Sequence, residues 1–406
     1  MARNHVDPDS IIEILIKKSG ISKSDLATES ELSKPAITAF CKTLSSAGVL
    51  SEKSGVMTRS GRRAKGIALD LSYFRVLVIR LNRYWIEYVD FDGNGEMLDS
   101  CKTQLLVESK IESIMEDVKF HITRFVEIFD ANRCLGVSIS TLGWVVSTGL
   151  DTFLHVDGFS ELNKIDILRT LRNAFPDLTI VLEHDAKAAA LAEYKQYVEE
   201  FGIEPECLVN IVGGIGFGAG IVINGRIFHG SQGIAGELGH LGINFNSSLN
   251  SRVIDRPEFC GLFEDYASPR AMKGYVADRL IDFPDTELFE SSSFDEIIAA
   301  YGRGDGLASW VLNHSLKFFA YGLAGMVYLL NPDVIVLSDE LSKLKGVTEV
   351  LSSELKLLLP PVISDSLEIR LSSSGSNAVL LGSYQRLIQE LLERKVFFSK
   401  IFYGKD

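Results

Sequence analysis

Gly213-Gly214-Ile215-Gly216-Phe217-Gly218-Ala219-Gly220 and, a short way on, Gly233-Ile234-Ala235-Gly236-Glu237-Leu238-Gly239-His240 fall within residues 212–240, the stretch from which the fold is read. Gly214, Gly216, Gly218 and Gly220 alternate along an otherwise apolar, strand-like run. Glycine at such positions has no Cβ, so a ligand or a second backbone can come close. Asn224-Gly225 is the dipeptide of a two-residue hairpin turn. Glu237 and His240 then stand three residues apart, with glycine at 236 and 239.

Around this stretch lies a chain of 406 residues, too long for one ordinary core, so two or three domains are expected. No apolar stretch approaches the roughly 20 residues of a membrane span. The start, with Arg3, His5, Asp7 and Asp9, has no apolar signal segment, and a cytoplasmic location is expected. Cysteines 41, 101, 134, 207 and 260 are odd in number and scattered, which suits a reducing compartment rather than a disulfide framework. The net charge of −13 speaks against nucleic acid until its distribution is read. Residues 1–70 hold eleven Lys/Arg against eight Asp/Glu, and within 51–66 five basic residues face Glu52 alone. A basic module on an acidic body is a charge asymmetry of DNA-binding regulators.

Within residues 1–70 three short helices and a hairpin are expected. Ser10-Ile11-Ile12-Glu13 has capping-box spacing and opens an apolar face that ends at Gly20. Ser22-Lys23-Ser24-Asp25 opens a second helix, and Ser33 caps a third with Pro35 in its first turn. Ala36, Ile37, Phe40, Cys41 and Leu44 form that helix's inward stripe, and Gly48 ends it. Val49-Leu50 and Ile67–Leu69 are expected to pair as a wing with the basic tip Arg59, Arg62, Arg63 and Lys65. This is a winged helix-turn-helix whose third helix enters a major groove by its N-terminal end. Ser33, Lys34, Thr38 and Lys42 are its candidate DNA contacts, and the wing arginines suit phosphates or the minor groove.

From about residue 66 strand-like and helical runs alternate. Arg75–Leu81, Trp85–Phe91, Cys134–Ser140 and Leu178–Leu182 read as strands, Glu108–Phe129 and Asp185–Gln196 as helices. Leu208–Ile223 reads as strand, Gly306–Leu330 as a long helix, Val334–Leu337 as strand, and Val379–Leu392 as the last helix. Such an order means an α/β protein with helices packed on mixed sheets.

The 212–240 run closely resembles the signature of the ROK family of repressors, open reading frames and sugar kinases. Ala235-Gly236-Glu237-Leu238-Gly239-His240 is similar to its Ala-Gly-Glu-x-Gly-His, Glu264-Asp265-Tyr266-Ala267-Ser268 to its Glu-x-x-x-Ser, and His184-Asp185-Ala186 to the Asn-Asp-Ala of its kinases. Ser60-Gly61-Arg62 resembles the wing end of its repressors, and its sugar kinases lack this N-terminal domain. The resemblance implies an N-terminal winged helix-turn-helix (1–70) followed by a two-lobed, actin-like (ribonuclease-H-like) ATPase fold. Its first lobe would span 71–185, completed by 379–406. Residues 186–378 would form the second, carrying sugar-binding and dimerisation elements. It also implies a sugar-binding set of His184, Asp185, Glu237, His240 and Glu264. Carboxylates that accept two hydroxyl bonds, and imidazoles that donate or accept, suit a hexose.

The kinase features are eroded. Where the family's kinases carry Asp-x-Gly-Gly-Thr to cradle phosphates, this chain has Asp70-Leu71-Ser72-Tyr73-Phe74, with side chains in place of bare backbone. After Asn331-Pro332-Asp333 and its strand, Ser338-Asp339-Glu340 stand where kinases place glycines near the adenosine. Asp185 holds the position of the kinase general base, but without a held phosphoryl donor no catalytic residue is expected. The family's structural zinc uses a histidine and three cysteines, of which His240 and Cys260 remain. Two ligands do not close a tetrahedral site, so no metal is expected unless Asp255 or Glu258 substitutes. Phe259, Leu262 and Phe263 would then pack the loop without metal.

The expectation is a sugar-responsive transcriptional regulator, a repressor of carbohydrate uptake or metabolism genes. It would act as a homodimer or homotetramer on duplex operator DNA, with a monosaccharide or sugar phosphate as effector and no cofactor. The same resemblance allows a transport protein as a further partner. The rival reading is an ATP-dependent sugar kinase with an accessory N-terminal domain, and the Asp70–Phe74 stretch weighs against it.

Overall fold

The fold was taken from a computed structural model, which describes residues 7–57, 63–82, 84–105, 110–129, 131–148, 151–156, 163, 165–214, 216–244 and 261–403. The chain divides into two compact units, one of residues 1–184 with 383–406 and the other of residues 185–382.

The first unit opens with a small helical module. Helix α1 (Pro8–Lys17) is capped by Asp7, whose carboxylate accepts the amide of Asp9. The cap is therefore not Ser10: Pro8 needs no amide partner in the first turn, and this shifts the helix start upstream. After β1 (Ile21–Ser22), Ser22 caps α2 (Lys23–Glu29) and Ser33 caps α3 (Lys34–Ser46), with Pro35 in the first turn. Ile37, Cys41 and Leu44 of α3 are buried, as are Ile11, Ile12 and Leu15 of α1 and Leu26 of α2, while Ala36 and Phe40 are half-buried. Gly48 adopts φ +64° where the chain leaves the helix. The wing strands β2 (Leu50–Met57) and β3 (Arg63–Leu69) are longer than the sequence suggested, and β1 joins them in the order β1-β3-β2.

The rest of this unit is a five-stranded sheet of order β10-β7-β4-β5-β6. Strands β4 (Arg75–Leu81), β5 (Trp85–Asp92) and β6 (Met97–Gln104) form an antiparallel meander. Helix α4 (Ile111–Phe129) then leads to β7 (Cys134–Thr141), parallel to β4. A hairpin of β8 (Trp144–Thr148) and β9 (Asp151–His155) follows, then α5 (Ile167–Ala174) and β10 (Ile180–His184), parallel to β7. Leu77, Ile79, Val137, Ile139 and Ile180 share one core with α4 and α5. Strand side chains alternate between faces, so Ser138, Ser140 and Glu183, all buried, face the other way.

The second unit opens with α6 (Asp185–Phe201) and holds a sheet of order β13-β12-β11-β14-β15. The stretch 208–223 is two antiparallel strands, β11 (Cys207–Gly213) and β12 (Phe217–Ile223), rather than one. Gly214 donates its amide to the Gly216 carbonyl at 3.0 Å, a turn that glycines permit. Asn224 (φ +50°) and Gly225 (φ +75°) make the tight turn into β13 (Arg226–Ile227). Helices α7 (Phe263–Ala267), α8 (Pro269–Arg279), α9 (Phe294–Gly302) and α10 (Gly306–Leu330) follow. Strand β14 (Val334–Asp339) lies parallel to β11, then come α11 (Val347–Leu358), α12 (Pro361–Ser364) and β15 (Glu368–Leu371). Phe263, Phe319, Leu323, Val209 and Ile335 belong to the larger core on one face of this sheet. Ala190 and Tyr194 of α6 meet Leu208, Val222 and Val336 on the other.

Helix α13 (Ala378–Glu393) returns the chain to the first unit, where Leu387 packs on Gly136 of β7. A further helix, α14 (Phe397–Tyr403), was not foreseen from the sequence. Phe398 stacks on Phe40 of α3 with ring centroids 5.6 Å apart, and its amide donates to the Asp9 carboxylate at 2.9 Å. Among the described residues no helix is long and apolar enough to cross a membrane.

Candidate functional site

In the second unit β12 is the floor on which the expected sugar residues gather. A Cβ on Gly220 would lie 2.3 Å from the Ala186 carbonyl, so the first turn of α6, which carries Asp185, presses onto the strand there. A Cβ on Gly236 would lie 1.9 Å from the Ala219 carbonyl, and the Ala219 amide donates to the Gly236 carbonyl. The Glu237–His240 segment is thereby laid beside the same strand. Gly216 and Gly239 would each push a Cβ into the Glu264 carboxylate, at 2.2 and 2.6 Å. The alternate glycines thus admit backbone and a carboxylate, as close approach requires.

Asp185, Glu237, His240 and Glu264 are each half-buried, accessible yet backed by protein. The Glu264 carboxylate accepts the Phe217 amide at 3.4 Å and lies 3.7 Å from the Arg270 guanidinium. Arg270 also reaches Asp265 at 3.6 Å. Burial pushes the Asp265 carboxyl up from its ordinary value, against the Leu262 amide it accepts and nearby Arg270 and His240. The Asp185 carboxylate accepts the Ala186 amide at 2.7 Å and so sits at the first turn of α6. His184, the last residue of β10, belongs to the first unit, where its amide donates to Glu183 at 3.0 Å. Sequence reading missed Arg270 and Lys187. The latter is buried, with its ammonium on the Gly233 carbonyl, and so ties α6 to the loop before Glu237. No motif marks Arg270, but a lysine one turn into a buried, alanine-rich helix is itself a signal.

The Asp70–Phe74 turn is held by hydrogen bonds of its own. In the Asp70–Phe74 turn the Leu71 amide donates to Asn94, the Ser72 amide to Asp70 and the Phe74 amide to the Leu71 carbonyl. Arg75 takes the Ser72 and Phe74 carbonyls, and Arg133 donates to the Tyr73 carbonyl while lying over its ring at 4.4 Å. A phosphate cradle needs amides turned outward; here three are already committed within the turn. In the second unit the Asp339 carboxylate stands 3.4 Å from where a Cβ of Gly214 would be. Asp339 itself holds φ +58°, a conformation usually left to glycine.

Ser33, Lys34, Thr38 and Lys42 are all exposed on α3. Ser33 spends its hydroxyl on the Ala36 amide, and Thr38 bonds back to the Lys34 carbonyl. Lys65 is corrected from wing tip to strand: it lies in β3 with its ammonium 2.8 Å from Glu52 across the hairpin. That exposed pair reduces the free charge Lys65 can offer a phosphate. Arg63 starts β3, while Arg59 and Arg62 lie outside the described residues. So do Asp255, Glu258, Phe259 and Cys260. Among the described residues no cluster of three His, Cys, Asp or Glu could hold a metal. Of the zinc ligands that the resemblance implies, the sequence retains His240 and Cys260, two short of a tetrahedral set.

Known proteins share this architecture. The winged helix-turn-helix DNA-binding description matches residues 10–51, and the ROK family description matches 78–390. The N-acetylglucosamine repressor of Escherichia coli O157:H7 is 24% identical over 345 residues, covering 82% of this chain and 80% of that protein. The xylose repressor of Caldicellulosiruptor bescii is 23% identical over 403 residues, covering 94% and 95%. The crystal structure of a ROK family transcriptional regulator, a homologue of the Escherichia coli MLC protein, superposes with a TM-score of 0.80 at 24% identity over 98% of both chains. With the glycine-lined β12, the Glu237 and Glu264 motifs and a match over most of its length, the chain belongs to the ROK family.

Proposed function

We propose that this protein is a sugar-responsive transcriptional regulator of the repressor type, working in the cytoplasm. The observation that carries the reading is one chain joining a winged helix-turn-helix with exposed Lys34 and Lys42 to a sugar-kinase-like body whose phosphate turn is closed by Arg75 and Arg133. Relatives named as N-acetylglucosamine and xylose repressors, matched over 80% and 95% of their own length, support it. Asp185, Glu237, His240 and Glu264 hold a monosaccharide or its phosphate, and His184 directly precedes Asp185 in the chain. The sugar shifts the affinity of the DNA-binding domain by its differential affinity for two conformations.

The protein transfers no phosphoryl group and holds no metal in this reading. It acts as a homodimer on a two-fold operator. Tyr321, Tyr328 and Leu329, exposed on α10, offer an apolar face for a second copy, and light scattering of purified protein tests this. The functional experiment is a thermal-shift screen with glucose, N-acetylglucosamine, xylose and their phosphates. A ligand at 100 times its dissociation constant adds about 2.7 kcal/mol. No shift with any sugar, in a folded protein, removes the reading.

A further inference from the structure

We infer that Glu183 and Arg386 position the His184 end of β10 and couple it, through Glu390 and Arg394, to the helix that braces the DNA-binding domain. The inference deepens the proposed regulation and rests on it only for the role of His184.

Glu183 is 2% exposed, on the face of β10 turned toward α13. One carboxylate oxygen accepts the His184 amide at 3.0 Å, and the other lies 3.5 Å from the Arg386 guanidinium. Arg386 bonds Glu390 one turn along α13 at 2.7 Å, and Glu390 receives Arg394 at 2.6 Å. Burial alone would raise the Glu390 carboxyl, but Arg386 and Arg394 hold it below its ordinary value. The far end of β10 is fixed separately: Arg172 donates to the Ile180 carbonyl at 2.9 Å. The charge chain thus runs from Glu183, beside His184, to Arg394 in the turn between α13 and α14.

Helix α14 cannot shift without disturbing the DNA-binding domain. Lys395 pairs with Asp7 at 2.7 Å, the Phe398 amide donates to Asp9, and Phe398 stacks on Phe40 of the DNA-reading helix. Beneath α13 the hydroxyls of Ser138 and Ser140 are buried with no hydrogen-bond partner among the described residues. An interface that is polar yet sparsely bonded is one where a second arrangement of similar energy lies within reach. Removing Arg386 takes a cation from the buried Glu183 carboxylate, and neutralising Glu183 takes one of the two carboxylates that Arg386 meets; either loss leaves a charge less compensated than before.

Hydrogen exchange on the full-length protein tests this without an effector, using wild type, Glu183→Gln, Arg386→Met and the double variant. Each single variant should speed exchange around His184. Each should also speed it about fivefold or more within Phe397–Tyr403 and Pro8–Lys17. Helix α4, on the opposite face of the sheet, should stay unchanged. The double variant, which strands no charge, should recover most of the protection. Changes confined to β10 and α13, or a double variant as exposed as the two singles combined, overturn the coupling. If Arg386→Met does not fold, Arg394→Met cuts the exposed last link, and an unchanged α14 overturns it equally. Sugar binding is read separately by thermal shift, so failure of the coupling and failure of the sugar reading are distinguishable.

Discussion

The Asp9 carboxylate accepts the Phe398 amide at 2.9 Å across 389 residues of sequence, so a residue of the first helix caps the last one. The DNA-binding domain is therefore completed by the C-terminus. Phe398→Ala removes the ring from Phe40 and should lower stability by about 1–2 kcal/mol, as a half-buried aromatic pair implies. Denaturant melts followed by a probe in the N-terminal domain measure it, and an unchanged midpoint would mean the helix is only resting there.

DNA binding should run through the exposed cations of α3. Lys34→Ala with Lys42→Ala should weaken binding to duplex DNA and reduce the log–log salt slope by roughly one unit for each phosphate no longer neutralised. Lys65→Ala should change the slope less, because Lys65 already pairs with Glu52. Titrations at several salt concentrations decide it; equal slopes in all three proteins remove the assignment.

No ATP-dependent phosphorylation of hexoses or aminosugars is expected, since the Leu71, Ser72 and Phe74 amides are already bonded. A coupled assay with purified protein checks this. Turnover that disappears in Asp185→Asn would reinstate the kinase reading.

Glu237→Ala should leave DNA binding and the fold intact while abolishing the stabilisation by sugar. Gly236 and Gly239 supply no side chain at that wall, so the carboxylate's bonds to hydroxyls are not replaced. A mutant that is stabilised as the wild type is would place the effector elsewhere.

Asp90 makes stability depend on pH. Burial pushes its carboxyl up to about 6 from 3.8, against the pull of Arg75 and with Asp99 opposite on β6. A folded-state value above the unfolded one means a contribution that is fully present below about 4 and lost as pH rises through about 6. Asp90→Asn should therefore gain stability on the order of 2 kcal/mol at pH 8 and nothing at pH 4. Melting curves at the two pH values measure the difference, and an equal gain at both would refute the titration.

What the sequence made legible was local chemistry. Gly306–Leu330 is bounded by an aspartate cap and by Asn331 in the left-handed region, and its extent matches the expectation. Ser33, Asn224-Gly225 and the α/β order also follow from neighbours in sequence. The errors lie where a distant partner decides. Asp7 rather than Ser10 caps α1, and the run 208–223 folds back on itself at Gly214–Gly216. Lys65 left the wing tip because β3 runs longer than its apolar part, and α14 depends on Asp9 and Phe40 at the other end of the chain. At the proposed sugar site the motifs marked Glu237, His240 and Glu264; Lys187 left a signal only in its place on an alanine-rich helix, and Arg270 emerges only from packing.

Asp339 closes β14 under tension. Its φ of +58° is a backbone shape that glycine adopts freely and an aspartate adopts under strain. The strain falls at the last residue of a strand buried inside its sheet, so the well-packed strand holds the strained residue in place. Replacing Asp339 with glycine should relax that end by about 1 kcal/mol.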